Sequence, residues 1–207
     1  MKKTRDFYNE NASTFFEGTV GADMSENYKA FLERLPQAAH ILDAGCGSGR
    51  DSLTFKKMGY QVTAIDASEE LCKLAAEYIG QEVRNIRFEE LDYENAFDGI
   101  WACASLLHVP SMELPQVIEK LAKALRKDGV MYASFKYGDF EGERNGRYFY
   151  DLTKEKAEKL FTVGGLKVVK MWITGDVREG RGDEKWVNVI CTLYTSSFSG
   201  NIIKRLL

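Results

Sequence analysis

The stretch HILDAGCGSGRDS, residues 40–52, joins a short apolar run to an acid and then to three glycines spaced two apart. HILD reads as a buried strand, and Gly45, Gly47 and Gly49 allow a sharp turn at its carboxyl end, where backbone can approach a neighbour that side chains would keep away. A helix is predicted from about Ser48 to Met58, stopped by a left-handed turn at Gly59. A glycine triplet alone also suits a purely structural turn, so the flanking pattern has to decide.

Downstream the pattern alternates. YQVTAID reads as a second strand, and Ser68 can cap a helix whose Leu71, Leu74, Ala75 and Tyr78 share one face, with Gly80 at its end. NIRFEELD and FDGIWACAS read as strands three and four. Val117, Ile118, Leu121, Ala122 and Leu125 form the buried stripe of a further helix, and GVMYASF supplies a fifth strand. Strand and helix in alternation require long right-handed crossovers, hence a parallel sheet covered on both faces. After a helix from about Thr153 to Val163 the pattern changes, and LKVVKMWIT and KWVNVICTLY read as a β-hairpin added to that sheet. The remaining segment, residues 196–207, has no clear place in the pattern.

Composition narrows the classes. The chain has 207 residues and no Pro-rich, Gly/Ser-rich or low-complexity divider, so one domain is expected. No apolar segment is long enough to span a bilayer and the start MKKTRDFYNE lacks the apolar core of a secretory signal, so a cytoplasmic location is expected. Cys46, Cys72, Cys103 and Cys191 show no CxxC spacing and read as reduced thiols, with no metal site expected. A net charge of −3 argues against a general nucleic-acid surface while leaving room for a local patch.

Asp66 ends the second strand 21 positions after Gly45, where a carboxylate can accept both ribose hydroxyls of an adenosine; its alternative role is a turn or cap before ASEE. The glycine pattern is GxGxG with Arg50 at the sixth position, unlike the GxGxxG of dinucleotide sites. Asp43 precedes it, and an acid there suits a ligand bearing an ammonium rather than phosphates. S-adenosylmethionine, with an ammonium and a sulfonium, fits better than NAD.

ILDAGCGSGRDS, VTAID, LD at 91–92, FDGIWACASLLHVP and LRKDGVMYASF together resemble, in order over residues 38–136, the motifs of small bacterial class I S-adenosylmethionine-dependent methyltransferases. The resemblance implies a Rossmann-like three-layer α/β sandwich, a mostly parallel seven-stranded sheet of order 3-2-1-4-5-7-6 with a C-terminal antiparallel hairpin. It divides the chain into an N-terminal lid or helical segment (1–36), a cofactor-binding core (37–136), a substrate-side loop with the hairpin (137–195) and a tail (196–207). It also implies that the turn Gly45, Cys46, Gly47 and Gly49 supports the methionine part, with Asp43 near the amino group. Asp66 and Ala67 would hold the ribose. Asp92 would meet the adenine amino group beside Leu91 and Tyr93, unless it is a solvated strand-end acid. Cys103, Ala104 and Ser105 would border the sulfonium, although Cys103 also suits a small core residue.

His108, after strand four, is the catalytic candidate as a general base, its alternative being a brace for the loop before Pro110. Tyr8, in the aromatic segment FYNENASTFF, is the candidate lid contact to the cofactor, its alternative being a helix anchor. KYGDFEGERNGRYFYD reads as a Gly-rich loop on the same rim, in which Arg144 and Arg147 can recognise a planar or anionic substrate or simply be solvated. Three functions stay open: methyl transfer to a small molecule, favoured by the short, non-basic chain; methyl transfer to tRNA or protein; and a non-catalytic S-adenosylmethionine-binding role. The acceptor atom and the oligomeric state are not legible.

Overall fold

The continuous apolar runs of the central strands, buried on both faces, call for helices on either side of the sheet. A computed structural model describes residues 2–178 and 180–194. The chain opens with helices α1 (Lys2–Glu10), α2 (Ala12–Thr19) and α3 (Ser25–Leu32). The alternating core follows: β1 (His40–Ala44), α4 (Arg50–Lys57), β2 (Gln61–Asp66), α5 (Glu69–Ile79), β3 (Val83–Asn85), β4 (Phe97–Ala102), α6 (Leu114–Ala124) and β5 (Leu125–Lys136). A short hairpin of β6 (Glu141–Arg144) and β7 (Arg147–Tyr150) precedes α7 (Lys154–Val163), β8 (Leu166–Gly175) and β9 (Lys185–Leu193).

The main sheet runs β3-β2-β1-β4-β5-β9-β8, parallel from β3 to β5, with β9 antiparallel to both β5 and β8. Counting only its own strands, this is the expected order 3-2-1-4-5-7-6. Neighbouring residues of β4 bury on opposite faces. Ile100 joins Leu42, Ile65 and Leu121 beneath α6, whereas Trp101 joins Phe31, Phe55 and Tyr132 beneath α3 and α4. Trp101 and Tyr132 stack with ring centroids 3.9 Å apart. All of these large side chains are 0% exposed, so each face is a closed apolar layer, as a parallel sheet requires.

Helix punctuation follows the sequence. Ser68 Oγ accepts from the Leu71 N–H at 3.2 Å and Gly80 closes α5 with φ +68. Thr153 Oγ1 accepts from Lys156 N–H at 3.3 Å at the start of α7.

Two elements differ from expectation. The third strand is Val83–Asn85, so it lies before the expected NIRFEELD (85–92) and shares only Asn85 with it; its partner β2 ends at Asp66 opposite Asn85, and the chain then turns through a 3-10 segment at Phe88–Glu90. The Gly-rich loop after β5 contains the β6–β7 hairpin, with Asn145 (φ +52) and Gly146 (φ +77) at its tip and Arg144 paired to Arg147. Two successive left-handed residues form the tight turn that matches strand twist, and Asn-Gly is its preferred sequence. The tail at 196–207 lies outside the described residues. Among the described residues no helix is long and apolar enough to cross a membrane.

Candidate functional site

The carboxyl ends of β1, β2, β4 and β5 meet on one rim of the sheet. At that rim lies an open cleft of about 590 Å³, a volume within the ordinary range of small-ligand sites. The glycine turn forms its floor. Gly45, Gly47 and Gly49 all have positive φ, and the N–H groups of Gly45 and Cys46 both donate to the Ile65 carbonyl at 2.9 Å. A Cβ on Gly45 would lie 2.4 Å from Ser105 Cβ. The close approach that this glycine permits is therefore to the turn after β4, where Ser105 Oγ donates to the Ala44 carbonyl at 2.6 Å.

Asp66 fills the turn role open to it from sequence and also stands at the cleft. Its Oδ2 accepts from Gly47 N–H and its Oδ1 from Ser68 N–H, each at 2.9 Å, so the carboxylate ties the glycine turn to the start of α5. It also borders the cleft beside Ala67, and each oxygen keeps a second acceptor site for a ligand hydroxyl. Burial pushes its pKa up.

Asp43 and Gly49 stand back from the cleft wall. Asp43 is 1% exposed behind the turn, where its Oδ2 accepts from Ser52 Oγ at 2.6 Å. Burial and then the neighbouring Asp51 carboxylate push its pKa up. Leu91, Asp92 and Tyr93 also lie off the wall: Leu91 is buried in the core, Asp92 is exposed, and Tyr93 accepts from Arg84 Nη1 through its hydroxyl at 2.9 Å. Ile86, Arg87, Phe88 and Glu89 form the wall instead, because the early end of β3 brings the 3-10 turn onto the rim.

Cys103, Ala104 and Ser105 all border the cleft. Ala104 takes a left-handed φ of +51 and donates its N–H to Ser134 Oγ at 2.9 Å, a strained conformation stabilised from β5. Burial, aided by the Asp51 carboxylate, pushes the Cys103 thiol up to about 12, so it is a neutral thiol at physiological pH rather than a nucleophile.

Arg50 was legible only as a departure from GxGxxG, and Asp51 carried no signal in the sequence. Asp51 accepts from Arg50 Nε at 2.6 Å and Nη2 at 2.9 Å, from Trp101 Nε1 at 2.7 Å and from the Tyr28 hydroxyl. Burial raises its pKa, but the Arg50 guanidinium and these hydrogen bonds outweigh it and hold the carboxyl below its usual value. Arg50 is thereby fixed at the cleft wall, its Nη2 3.9 Å from Cys103 Sγ.

Helix α1 crosses the rim because it is tied at both ends. Asn9 Oδ1 accepts from Ser68 Oγ at 2.7 Å, and Thr4 Oγ1 accepts from Tyr148 N–H at 2.9 Å. This holds Tyr8 over the cleft, in hydrogen-bond contact with His108 Nε2 at 2.8 Å. His108 Nδ1 lies 2.6 Å from the Tyr148 carbonyl, which can only accept. Nδ1 therefore carries the proton, Nε2 is the acceptor, and Tyr8 donates. Burial, reinforced by the nearby Arg147 guanidinium and opposed by the Tyr148 bond, lowers the His108 pKa to about 4. Burial raises that of Tyr8, so both rings are neutral at pH 7.

This burial has a measurable consequence. The unfolded state binds a proton on His108 below about pH 6.5 whereas the folded state resists it to about 4, so stability is full above 6.5 and falls as pH drops through that window. Between pH 7 and 4.5 the wild type should lose about 2 kcal/mol more than His108→Gln in urea unfolding. Parallel losses in the two proteins would show that His108 is not held neutral.

The far wall comes from elements that sequence reading placed loosely. Lys136 ends β5, Trp186 follows Lys185 at the start of β9, and Arg147 and Phe149 come from β7. The Asn145-Gly146 pair flanked by alternating residues was the available signal for β7. Among the described residues no group of three or more potential metal ligands occurs.

Residues 41–129 match the methyltransferase domain family. An uncharacterised methyltransferase of Staphylococcus carnosus is 28% identical over 71% of this chain and 78% of its own length. A ubiquinone biosynthesis O-methyltransferase of Xanthomonas axonopodis is 32% identical over 48% of this chain, which spans only 44% of that enzyme. The crystal structure of Burkholderia thailandensis 1,6-didemethyltoxoflavin-N1-methyltransferase, with bound 1,6-didemethyltoxoflavin and S-adenosylhomocysteine, superposes with a TM-score of 0.76 at 22% identity, covering 94% of this chain and 88% of that one. The ordered motifs, the strand order with its antiparallel β9 and the glycine turn linked to Asp66 agree with these matches, which support a class I S-adenosylmethionine-dependent methyltransferase.

Proposed function

We propose that the chain transfers a methyl group from S-adenosylmethionine to a small-molecule acceptor held between α1 and the β6–β7 hairpin. The observation that carries this reading is the continuity of one cleft from the glycine turn and Asp66 to a second wall of Tyr8, His108, Lys136, Arg147, Phe149 and Trp186. A cleft of that volume, crossed at its rim by α1, suits a small acceptor better than a macromolecular surface. The 1,6-didemethyltoxoflavin bound in the Burkholderia enzyme and the ubiquinone biosynthesis in the name of the Xanthomonas enzyme support the same class.

In this reading Asp66 holds the ribose hydroxyls, Ile86 to Glu89 enclose the adenine, and Arg50 faces the methionine carboxylate. Asp43 supports the turn through Ser52. Bound S-adenosylmethionine supplies an electrophilic methyl on a sulfonium, attacked in line, so the chain's contribution is alignment and exclusion of water. His108 is a poor proton acceptor with its pKa near 4 and its Nε2 engaged by Tyr8. Its proposed role is positioning: Nδ1 fixes the hairpin and Nε2 fixes the roof. The acceptor atom then needs no strong base, which favours a neutral nitrogen or a thiolate over an alcohol. The cytoplasm is the proposed compartment, supported by four unpaired thiols.

Incubation with methyl-labelled S-adenosylmethionine and separate small-metabolite, tRNA and protein fractions tests the acceptor class. Label is expected in the metabolite fraction. Label confined to tRNA or to protein contradicts the proposal.

A further inference from the structure

The second wall is cationic in a chain of net charge −3. Lys136, Arg144, Arg147, Arg178 and Arg181 border the cleft there, against Asp176 and Glu184. Four of these cations have carboxylate partners: Lys136 pairs with Glu184, Arg144 with Asp151 at 2.7 Å, Arg178 with Asp176 at 2.5 Å and Arg181 with Glu184 at 3.6 Å. Among the described residues Arg147 has no carboxylate partner. Its Nη1 donates to the Tyr8 hydroxyl at 3.3 Å, and its buried Nε has no acceptor at all.

The faces of this guanidinium are occupied by aromatic rings, with Phe7, Phe149 and Tyr8 centroids at 4.7, 5.1 and 5.7 Å. Ring contacts offset only part of the cost of withdrawing a cation from water; a hydrogen-bonded anion does so far better. With its faces covered, the polar interactions left to Arg147 lie in its plane, where guanidinium matches a two-oxygen anion. The neighbouring His108 offers Arg147 no acceptor, because its Nδ1 donates to the Tyr148 carbonyl and its Nε2 accepts from Tyr8.

We infer that the methyl acceptor carries an anionic oxygen group on a planar body, and that Arg147 binds that group, with Phe149 and Trp186 beside the plane. The inference rests on the proposed methyl transfer for its location but is testable without turnover. Arg147 reaches the cleft only because Asn145-Gly146 closes the β6–β7 turn, so the hairpin is the specificity element of this site.

The probes are benzoate, phenyl phosphate and the neutral isostere benzamide, titrated calorimetrically into the full chain with and without saturating S-adenosylhomocysteine. At least one anion should bind ten-fold or more tightly than benzamide, and the stronger of the two identifies the group as carboxylate or phosphate. Arg147→Met should reduce that anion to the benzamide level while still binding S-adenosylhomocysteine, and Arg147→Lys should recover part of the affinity. Absence of a ten-fold preference for either anion, or full preference in Arg147→Met, overturns the inference. If S-adenosylhomocysteine does not bind but the Arg147-dependent preference persists, the methyl-transfer reading fails and the anion site stands.

Discussion

Gly45→Ala is expected to cost about 3 to 5 kcal/mol of stability and to abolish S-adenosylhomocysteine binding. Two costs coincide at this position. A left-handed φ of +85 strains any residue with a Cβ, and that Cβ would lie 2.4 Å from Ser105 Cβ, far inside contact distance. Ser105 cannot retreat without giving up its bond to the Ala44 carbonyl and moving Ala104, itself held in a left-handed conformation. The turn of β1 and the turn of β4 would then separate, and both border the cofactor half of the cleft. Gly59→Ala isolates the first cost, since Gly59 has φ +90 but nothing within 4 Å of its would-be Cβ. That variant should lose only about 1 to 2 kcal/mol and keep its ligand affinity. Equal losses in the two variants, read from urea unfolding, would show that the Ser105 contact is not limiting.

Asp66→Ala is expected to weaken S-adenosylhomocysteine binding by about 10- to 150-fold, equivalent to about 1.5 to 3 kcal/mol, and to lower stability as well. The joint loss follows from geometry, because the carboxylate that borders the cleft also accepts from Gly47 and Ser68. Removing them leaves two backbone donors without partners at the junction of turn and helix. Asp66→Asn retains one acceptor oxygen and should fall between wild type and alanine in both measurements. Calorimetric titration beside urea unfolding separates the effects. Intact affinity with lowered stability would assign Asp66 to the turn alone.

The core of the fold was legible because its rules are local. HILD, YQVTAID and FDGIWACAS carry buried apolar runs, Ser68 and Gly80 bound α5 where capping chemistry places them, and crossover handedness leaves few sheet orders. What could not be read depends on where a partner stops. Strand three looks eight residues long in sequence, yet its ladder ends with β2 at Asp66, and the turn so produced replaces Leu91, Asp92 and Tyr93 on the cleft wall with Ile86 to Glu89. Asp43 shows the same limit: its position beside the glycines is plain, but only the packed structure turns its carboxylate toward Ser52. The β6–β7 hairpin was legible in Asn145-Gly146 but hidden by glycine-rich surroundings that read as loop. The Tyr8–His108–Arg147 arrangement spans 139 positions and has no local signature; it exists because α1 is tied to Ser68 at one end and to Tyr148 at the other.

The most direct test of the account is calorimetric titration of S-adenosylhomocysteine and of NADH into the full chain, since both carry an adenosine ribose and only NADH carries a pyrophosphate. The GxGxG turn, closed by Arg50 where a pyrophosphate site has glycine, predicts one S-adenosylhomocysteine per chain and no detectable NADH. NADH bound as tightly as S-adenosylhomocysteine, or no binding of S-adenosylhomocysteine at all, would contradict it.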